Sequence, residues 1–144
     1  MYKNIFLAED DPDDQFLFTD ALKQIDSSIE CQIAANGKET ISLLKKLESL
    51  PDIIFLDLNM PLMNGFECLS KIKNDENLRE IPIVIFTTSS NPEDIQATHQ
   101  LGANVYFSKP AGFIELKDKI EKILNLVYES TTVPAQAMIA QYYV

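Results

Sequence analysis

Short apolar runs alternate along this chain with amphipathic stretches, and four of the runs end at or near a residue that carries reactive chemistry. The residues that follow these four runs are Glu9 with Asp10, Asp57, Thr87 and Lys109. If the runs are parallel strands, their carboxyl ends lie at one edge of a sheet, where open α/β folds bind ligands. We therefore predict one pocket that holds three carboxylates, a hydroxyl and an ammonium group.

The alternating pattern repeats five times along the chain. The runs predict strands over residues 3–8, 30–35, 52–56, 81–86 and 104–107. Helix starts are marked by Asp11 before Pro12, and by Asn64 with Glu67 three residues later, as in a capping box. Five successive strand–helix units predict an α/β fold in which helices cover both faces of a parallel sheet.

The length of 144 residues indicates one domain, which we place at residues 1–128. Residues 129–144 begin with a linker-like stretch and end in an uncharged segment. We expect this C-terminal extension either to fray or to pack on the domain or on a second copy.

The net charge of −10 argues against nucleic-acid binding, which requires basic patches. The first apolar run is too short for a signal peptide or a membrane span. Cys31 and Cys68 form neither a disulfide framework nor a metal-type spacing, which suits free thiols in a reducing compartment. We expect a cytoplasmic protein that binds neither nucleic acid nor membrane.

The predicted pocket suits a divalent metal and a phosphoryl group. Two carboxylates about 4 Å apart repel each other by roughly 4 kcal/mol at an effective dielectric constant of about 20, so a cluster of three calls for a cation. A site with few protein oxygens favours Mg²⁺, which keeps part of its hydration shell. Asp57 is the candidate nucleophile, Lys109 a point charge for phosphoryl oxygens, and Thr87 a hydrogen-bond donor.

Each of these residues also has a plainer interpretation. Glu9 and Asp10 can be charges near a helix N-terminus, and Asp57 can be a solvated loop acid. Thr87 can be an ordinary β-branched strand residue, and Lys109 a surface lysine in a turn. These interpretations would have to hold together at four strand ends, and we therefore favour the shared site.

With these motifs in place, the chain resembles the receiver domain of two-component response regulators, the chemotaxis-regulator-like family. The matching segments lie at residues 7–11, 55–61 with 64–65, 85–89, and 102–103 leading to 106–110. The resemblance implies a flavodoxin-like, doubly wound fold with five parallel strands in the order 2-1-3-4-5. It also implies that Asp57 accepts a phosphoryl group from a histidine kinase.

The resemblance further assigns roles to the residues around Asp57. It implies that Mg²⁺ is held by Asp10, Asp57, the main-chain carbonyl of Asn59 and, through water, Glu9. Thr87 and Lys109 would contact the phosphoryl group. Tyr106 matches the family's switch aromatic, which turns inward as Thr87 moves toward the phosphate. The Lys109–Pro110 peptide is often cis in this family.

The acidic start and the Phe-Thr-Thr-Ser-Ser stretch resemble the stand-alone, phytochrome-associated subgroup, which includes homodimers with extended C-termini. The implied partners are a sensor histidine kinase or phosphotransfer protein, a downstream protein of unknown identity and a second copy of the chain. We expect a phosphoacceptor that assists its own phosphorylation rather than a dedicated enzyme, with its output a surface change on the face formed by the fourth helix, fifth strand and fifth helix.

Two other functions compete with this interpretation. A Mg²⁺-dependent phosphohydrolase of the haloacid-dehalogenase type also uses an aspartate nucleophile, but it needs a second aspartate where Asn59 stands. A nucleotide- or flavin-binding domain would need a first turn that cradles phosphate, whereas Glu9-Asp10-Asp11-Pro12 is acidic and lacks glycine.

Overall fold

The computed structural model describes residues 4–129 and 142–143. The strands within these residues are β1 (Asn4–Ala8), β2 (Glu30–Ala34), β3 (Ile53–Leu56), β4 (Ile83–Thr87), β5 (Val105–Ser108) and β6 (Tyr142–Tyr143). The helices are α1 (Pro12–Ile25), α2 (Gly37–Lys46), α3 (Gly65–Lys73), α4 (Pro92–Gln100) and α5 (Phe113–Glu129). The five predicted strands are present, and no strand end differs from the prediction by more than two residues.

All strand pairs are parallel, and the sheet has the order β2-β1-β3-β4-β5-β6. The predicted order 2-1-3-4-5 is therefore confirmed. Strand β6 adds a sixth member at the outer edge of β5, with Tyr142 opposite Val105 and Tyr143 opposite Tyr106. We did not predict this strand, because two residues carry no usable periodicity.

Helices cover both faces of the sheet, as predicted. One buried cluster packs residues of α1 and α5 against one face, and the other packs residues of α2 and α3 against the opposite face. Phe18 of α1 lies at the centre of the first cluster, with its ring centroid 4.8 Å from that of Phe55 and 5.3 Å from that of Phe86. This packing fixes α1, and with it the polar turn that follows β1.

Polar caps start the helices directly beside the sheet edge. Asp11 Oδ1 accepts a hydrogen bond from Asp13 N at 2.8 Å, and Pro12 occupies the first turn of α1. Asn64 Oδ1 accepts one from Glu67 N at 2.9 Å at the start of α3. Both predicted helix starts are confirmed.

The predicted C-terminal extension, residues 129–144, lies mostly outside the described residues. Apart from the pairing of β6 with β5, its packing stays a prediction, as does the domain boundary near residue 128. The Lys109–Pro110 peptide is trans, contrary to the cis bond often found in the family; the trans form is the lower in free energy for most Xaa–Pro bonds.

The two cysteines are free, as predicted. Cys68 is buried and Cys31 half-buried, and desolvation raises the pKa of each thiol to about 12. No helix within residues 4–129 is long and apolar enough to span a membrane.

Candidate functional site

The carboxyl ends of β1 and β3 bring Glu9, Asp10 and Asp57 together. Ala8 pairs with Leu56 in the sheet, and Asp57 N donates a hydrogen bond to Ala8 O at 3.0 Å. One carboxylate oxygen from each of the three acids lies within 4.8 Å of the others. Strand β1 sits between β2 and β3, so the cluster lies where the order of the strands reverses along the sheet, as expected for this kind of fold.

Glu9 is fully buried, and its surroundings fix its position. Asp11 N donates to Glu9 Oε2 at 3.2 Å, and Gln15 Nε2 donates to Glu9 O at 2.6 Å. Burial, followed by the charge of Asp57, raises the pKa of Glu9 to about 7, although Lys109 opposes the shift. A bound cation would favour the ionised form of such a carboxyl.

Lys109 supplies the positive charge of the site. Its Nζ lies 2.5 Å from Glu9 Oε1, 2.9 Å from Asp14 Oδ2 and 3.5 Å from Asp57 Oδ2, and the side chain is 9% exposed. Burial alone would lower the pKa of Lys109, but these carboxylates raise it above its usual value. The ammonium also lies 4.9 Å from the centroid of the Phe86 ring.

Thr87 ends β4, the strand next to the one that carries Asp57. It is fully buried, and its carbonyl accepts a hydrogen bond from Lys109 N at 2.7 Å. Its Oγ1 accepts one from Ser89 N at 3.4 Å. The sheet therefore brings Thr87 to the same edge as the three carboxylates and ties it to the backbone of Lys109.

Tyr106 is buried, and Ser89 connects it to the end of β4. Tyr106 OH donates to Ser89 O at 3.0 Å, and Ser108 Oγ donates to the same carbonyl at 3.3 Å. Ser89 Oγ donates to Asp94 Oδ2 at 2.8 Å, which joins this turn to α4. Ser89 thus contacts Thr87, β5 and the fourth helix.

The loop after Asp57 is held tightly against the site. Asn59 N donates to Asp57 Oδ1 at 3.3 Å, and Gly65 N donates to Leu58 O at 3.0 Å. A Cβ on Gly65 would lie 2.2 Å from Asp57 O, so glycine is required for this close approach. Leu62 adopts a left-handed φ of 68°, which is uncommon for a residue with a branched side chain.

The structure brings Glu9, Asp10, Asp57 and Lys109 into one cluster, as the strand ends predict, and places Thr87 and Asn59 at its border. Sequence reasoning missed Asp14, whose carboxylate reaches Lys109 across the site. Its only sequence signal is the acidic first turn of α1, and acidic residues are common there for the helix N-terminus alone.

The cluster has the donors that a small divalent cation needs. Its ligands are carboxylate oxygens, the donors that Mg²⁺ and Mn²⁺ prefer, and Asp10 is exposed while Glu9 and Asp57 are buried. Among the described residues, Glu9 Oε1 is the buried side-chain oxygen that accepts no well-directed hydrogen bond. The residues present therefore fit a bound divalent ion.

Comparison with known proteins identifies the family. The response regulator receiver domain matches residues 5–121. Response regulator Rcp1 of Synechocystis sp. is 33% identical over 138 residues, which cover 92% of this chain and 94% of Rcp1. The chain therefore belongs to the response regulator receiver family of two-component signalling.

Two solved structures share both fold and sequence with this chain. The phosphorylated cyanobacterial phytochrome response regulator RcpA superposes with a TM-score of 0.84 at 34% identity, covering 93% of this chain and 99% of RcpA. The Mn²⁺-bound form of Rcp1 gives a TM-score of 0.79 at 32% identity, covering 92% and 99%. The resemblance to the phytochrome-associated subgroup is confirmed, and these relatives are response regulators rather than dedicated enzymes.

Proposed function

We propose that Asp57 accepts a phosphoryl group from the phosphohistidine of a sensor histidine kinase or phosphotransfer protein. An oxygen of Asp57 forms a bond to phosphorus while the bond from phosphorus to the donor imidazole breaks. The imidazole leaves with the bonding electron pair and takes up a proton as required. The observation that carries this proposal is Asp57 at the carboxyl end of β3, beside two further acids and the ammonium of Lys109.

Asp10, Asp57 and the carbonyl of Asn59 would hold Mg²⁺, with Glu9 acting through water. When bound, the ion offsets the negative charge that collects on a transferring phosphoryl group. The Mn²⁺-bound structure of the relative Rcp1 supports a divalent ion in this family. Lys109 and Thr87 would contact phosphoryl oxygens, the first as a charge and the second as a hydrogen-bond donor.

The direct test is incubation of the protein with a small acyl phosphate, with intact mass as the readout. We expect one phosphoryl group per chain in the presence of Mg²⁺ and little or none after the metal is removed with a chelator. Incorporation that is equally fast without the metal would contradict the proposal. Rapid, multiple-turnover hydrolysis of phosphate monoesters would instead favour the phosphohydrolase.

Phosphorylation would change the surface around α4, β5 and α5. A phosphoryl group on Asp57 would draw the Thr87 hydroxyl toward it and pull on Ser89, which accepts a hydrogen bond from Tyr106 OH. Tyr106 is already buried here. Phosphorylation would therefore stabilise this buried position of the Tyr106 side chain over an exposed one. A downstream protein would recognise that face.

Net charge and the free cysteines support proposals about the binding partners and the cellular location. The acidic charge of −10 supports recognition by proteins rather than by nucleic acid. The free thiols fit a reducing compartment, and we propose the cytoplasm.

Mg²⁺ is expected to stabilise the folded protein, because it binds the clustered carboxylates of the native state. At a free Mg²⁺ concentration 100 times the Kd, the free energy of unfolding should rise by about 2.7 kcal/mol. In Asp10→Asn we expect this gain to fall by more than about half, because one ligand charge is lost. Urea unfolding with and without Mg²⁺ measures both effects.

Asp13→Asn is the matched control, since Asp13 is exposed and belongs to the same acidic stretch but not to the cluster. It should keep nearly the full stabilisation by Mg²⁺. If Asp10→Asn and Asp13→Asn lost equal amounts of the stabilisation by Mg²⁺, the effect would come from the overall negative charge and not from binding at this site.

We also propose a homodimer built on α4, β5, α5 and the C-terminal extension. Leu101 and Tyr128 expose apolar surface at the ends of α4 and α5, and β6 lies on the edge of β5. Deleting residues 130–144 is expected to shift the mass in light scattering from dimer toward monomer. A full-length chain that is monomeric at the same concentration would refute the dimer.

A further inference from the structure

The ammonium of Lys109 has three carboxylate neighbours, of which the proposed chemistry uses two. Glu9 belongs to the metal cluster and Asp57 is the phosphoacceptor. Asp14, at 2.9 Å from Lys109 Nζ, belongs to neither role, and its contact is shorter than the 3.5 Å contact of Asp57. The hydrogen bonds of the Lys109 ammonium go to Asp14 and Asp57, while Glu9 is its partner in an ion pair.

Asp14 reaches Lys109 from the first turn of α1. Asp11 caps that turn and accepts a hydrogen bond from Asp14 N at 3.4 Å, which fixes the backbone of Asp14. The Asp14 side chain is 31% exposed, whereas that of Glu9 is 0% exposed. Water can therefore solvate Asp14 when Lys109 leaves it, but it cannot solvate Glu9 in the same way.

The difference in exposure between Asp14 and Glu9 determines which of them loses its contact with Lys109 when Asp57 is phosphorylated. A phosphoryl group on Asp57 draws the Lys109 ammonium toward its oxygens, so its contact with Glu9 or its contact with Asp14 must lengthen. Separating Lys109 from buried Glu9 would weaken an ion pair in the interior, which is costly. The Asp14 side chain is partly exposed, so breaking its hydrogen bond to Lys109 costs less free energy.

We propose that Asp14 is a positioning residue that holds Lys109 on the α1 side of the site and competes with the phosphoryl group for its ammonium. This inference rests on the proposed function of Asp57. Asp14 therefore slows phosphorylation, because part of the interaction of Lys109 must be broken before the ammonium can stabilise the charge on the transferring group. Its effect runs through Lys109 and not through contact with the donor.

The test compares the initial rate of phosphorylation by an acyl phosphate, in saturating Mg²⁺, for the wild type, Asp14→Asn and Asp14→Glu. We expect Asp14→Asn to be about 3- to 10-fold faster, the range expected for losing one partly solvated, charge-assisted bond. Asp14→Glu keeps the charge and should return to within about 2-fold of the wild type. A gain in rate would not come from a damaged fold, which would slow the reaction.

Asp13→Asn is the matched control, since Asp13 lies beside Asp14, is exposed, and forms no ion pair with any described residue. An equal acceleration in Asp13→Asn would overturn the inference, since general repulsion of the donor would then explain both. An unchanged or slower rate in Asp14→Asn would also overturn it. Absence of phosphorylation in the wild type would instead refute the proposed function, so the two failures are distinguishable.

Discussion

Replacing Asp57 with alanine is expected to abolish phosphoryl transfer from an acyl phosphate, even at saturating Mg²⁺. The variant loses the proposed nucleophile and one of the three carboxylates of the cluster. It should still fold, because Lys109 keeps Glu9 and Asp14 as partners and one like charge is removed from the site. Intact mass after incubation with the donor measures the effect.

The matched control for this substitution is Asp118→Ala, which removes an exposed carboxylate from α5. It should be phosphorylated at the wild-type rate. Wild-type incorporation in a folded Asp57→Ala protein would show that another residue accepts the phosphoryl group.

Substituting Gly65 with alanine is expected to damage both stability and phosphorylation. The new Cβ would lie 2.2 Å from Asp57 O and 2.6 Å from Leu58 Cα, so the backbone at the proposed phosphoacceptor must move. We expect a loss of about 3 kcal/mol, the upper end for overpacking, because the obstructing atoms are backbone atoms. The gain in helix propensity, at most about 1 kcal/mol, does not offset it.

Phosphorylation of Gly65→Ala should slow by about 100-fold, since a misplacement of about 1 Å has that effect on an oriented reaction. Gly112→Ala provides the control, because no atom lies within 4 Å of the Cβ that it would add. Urea unfolding and initial rates for the two variants measure both effects. If Gly65→Ala matched Gly112→Ala in stability and in rate, the close approach of residue 65 to the backbone of Asp57 would not matter for function.

The elements that position the site were predictable because local signals and tertiary packing agree. Asp11 and Asn64 cap α1 and α3 as the sequence patterns predict. Strands β3 and β4 are apolar at almost every position, as buried parallel strands must be, so their ends could be located within two residues. Because the strands are parallel, the reactive side chains that follow them meet at one edge of the sheet.

Contacts that depend on how closely separate segments of the chain approach each other were not predictable from the sequence. The bond between Asp14 and Lys109 joins residues 95 positions apart, and no periodicity relates them. The need for glycine at position 65 comes from the backbone of residues 57 and 58, which only the folded loop brings close. The pairing of β6 with β5 is equally non-local.

The residue that carries the phosphoryl group can be identified by chemical reduction. Borohydride reduces an aspartyl phosphate to homoserine, and peptide mass mapping after phosphorylation in Mg²⁺ locates the converted residue. We expect conversion at Asp57 alone, and only in the presence of Mg²⁺. Conversion at Glu9, Asp10 or Asp14, or phosphorylation that leaves Asp57 unconverted, would contradict it.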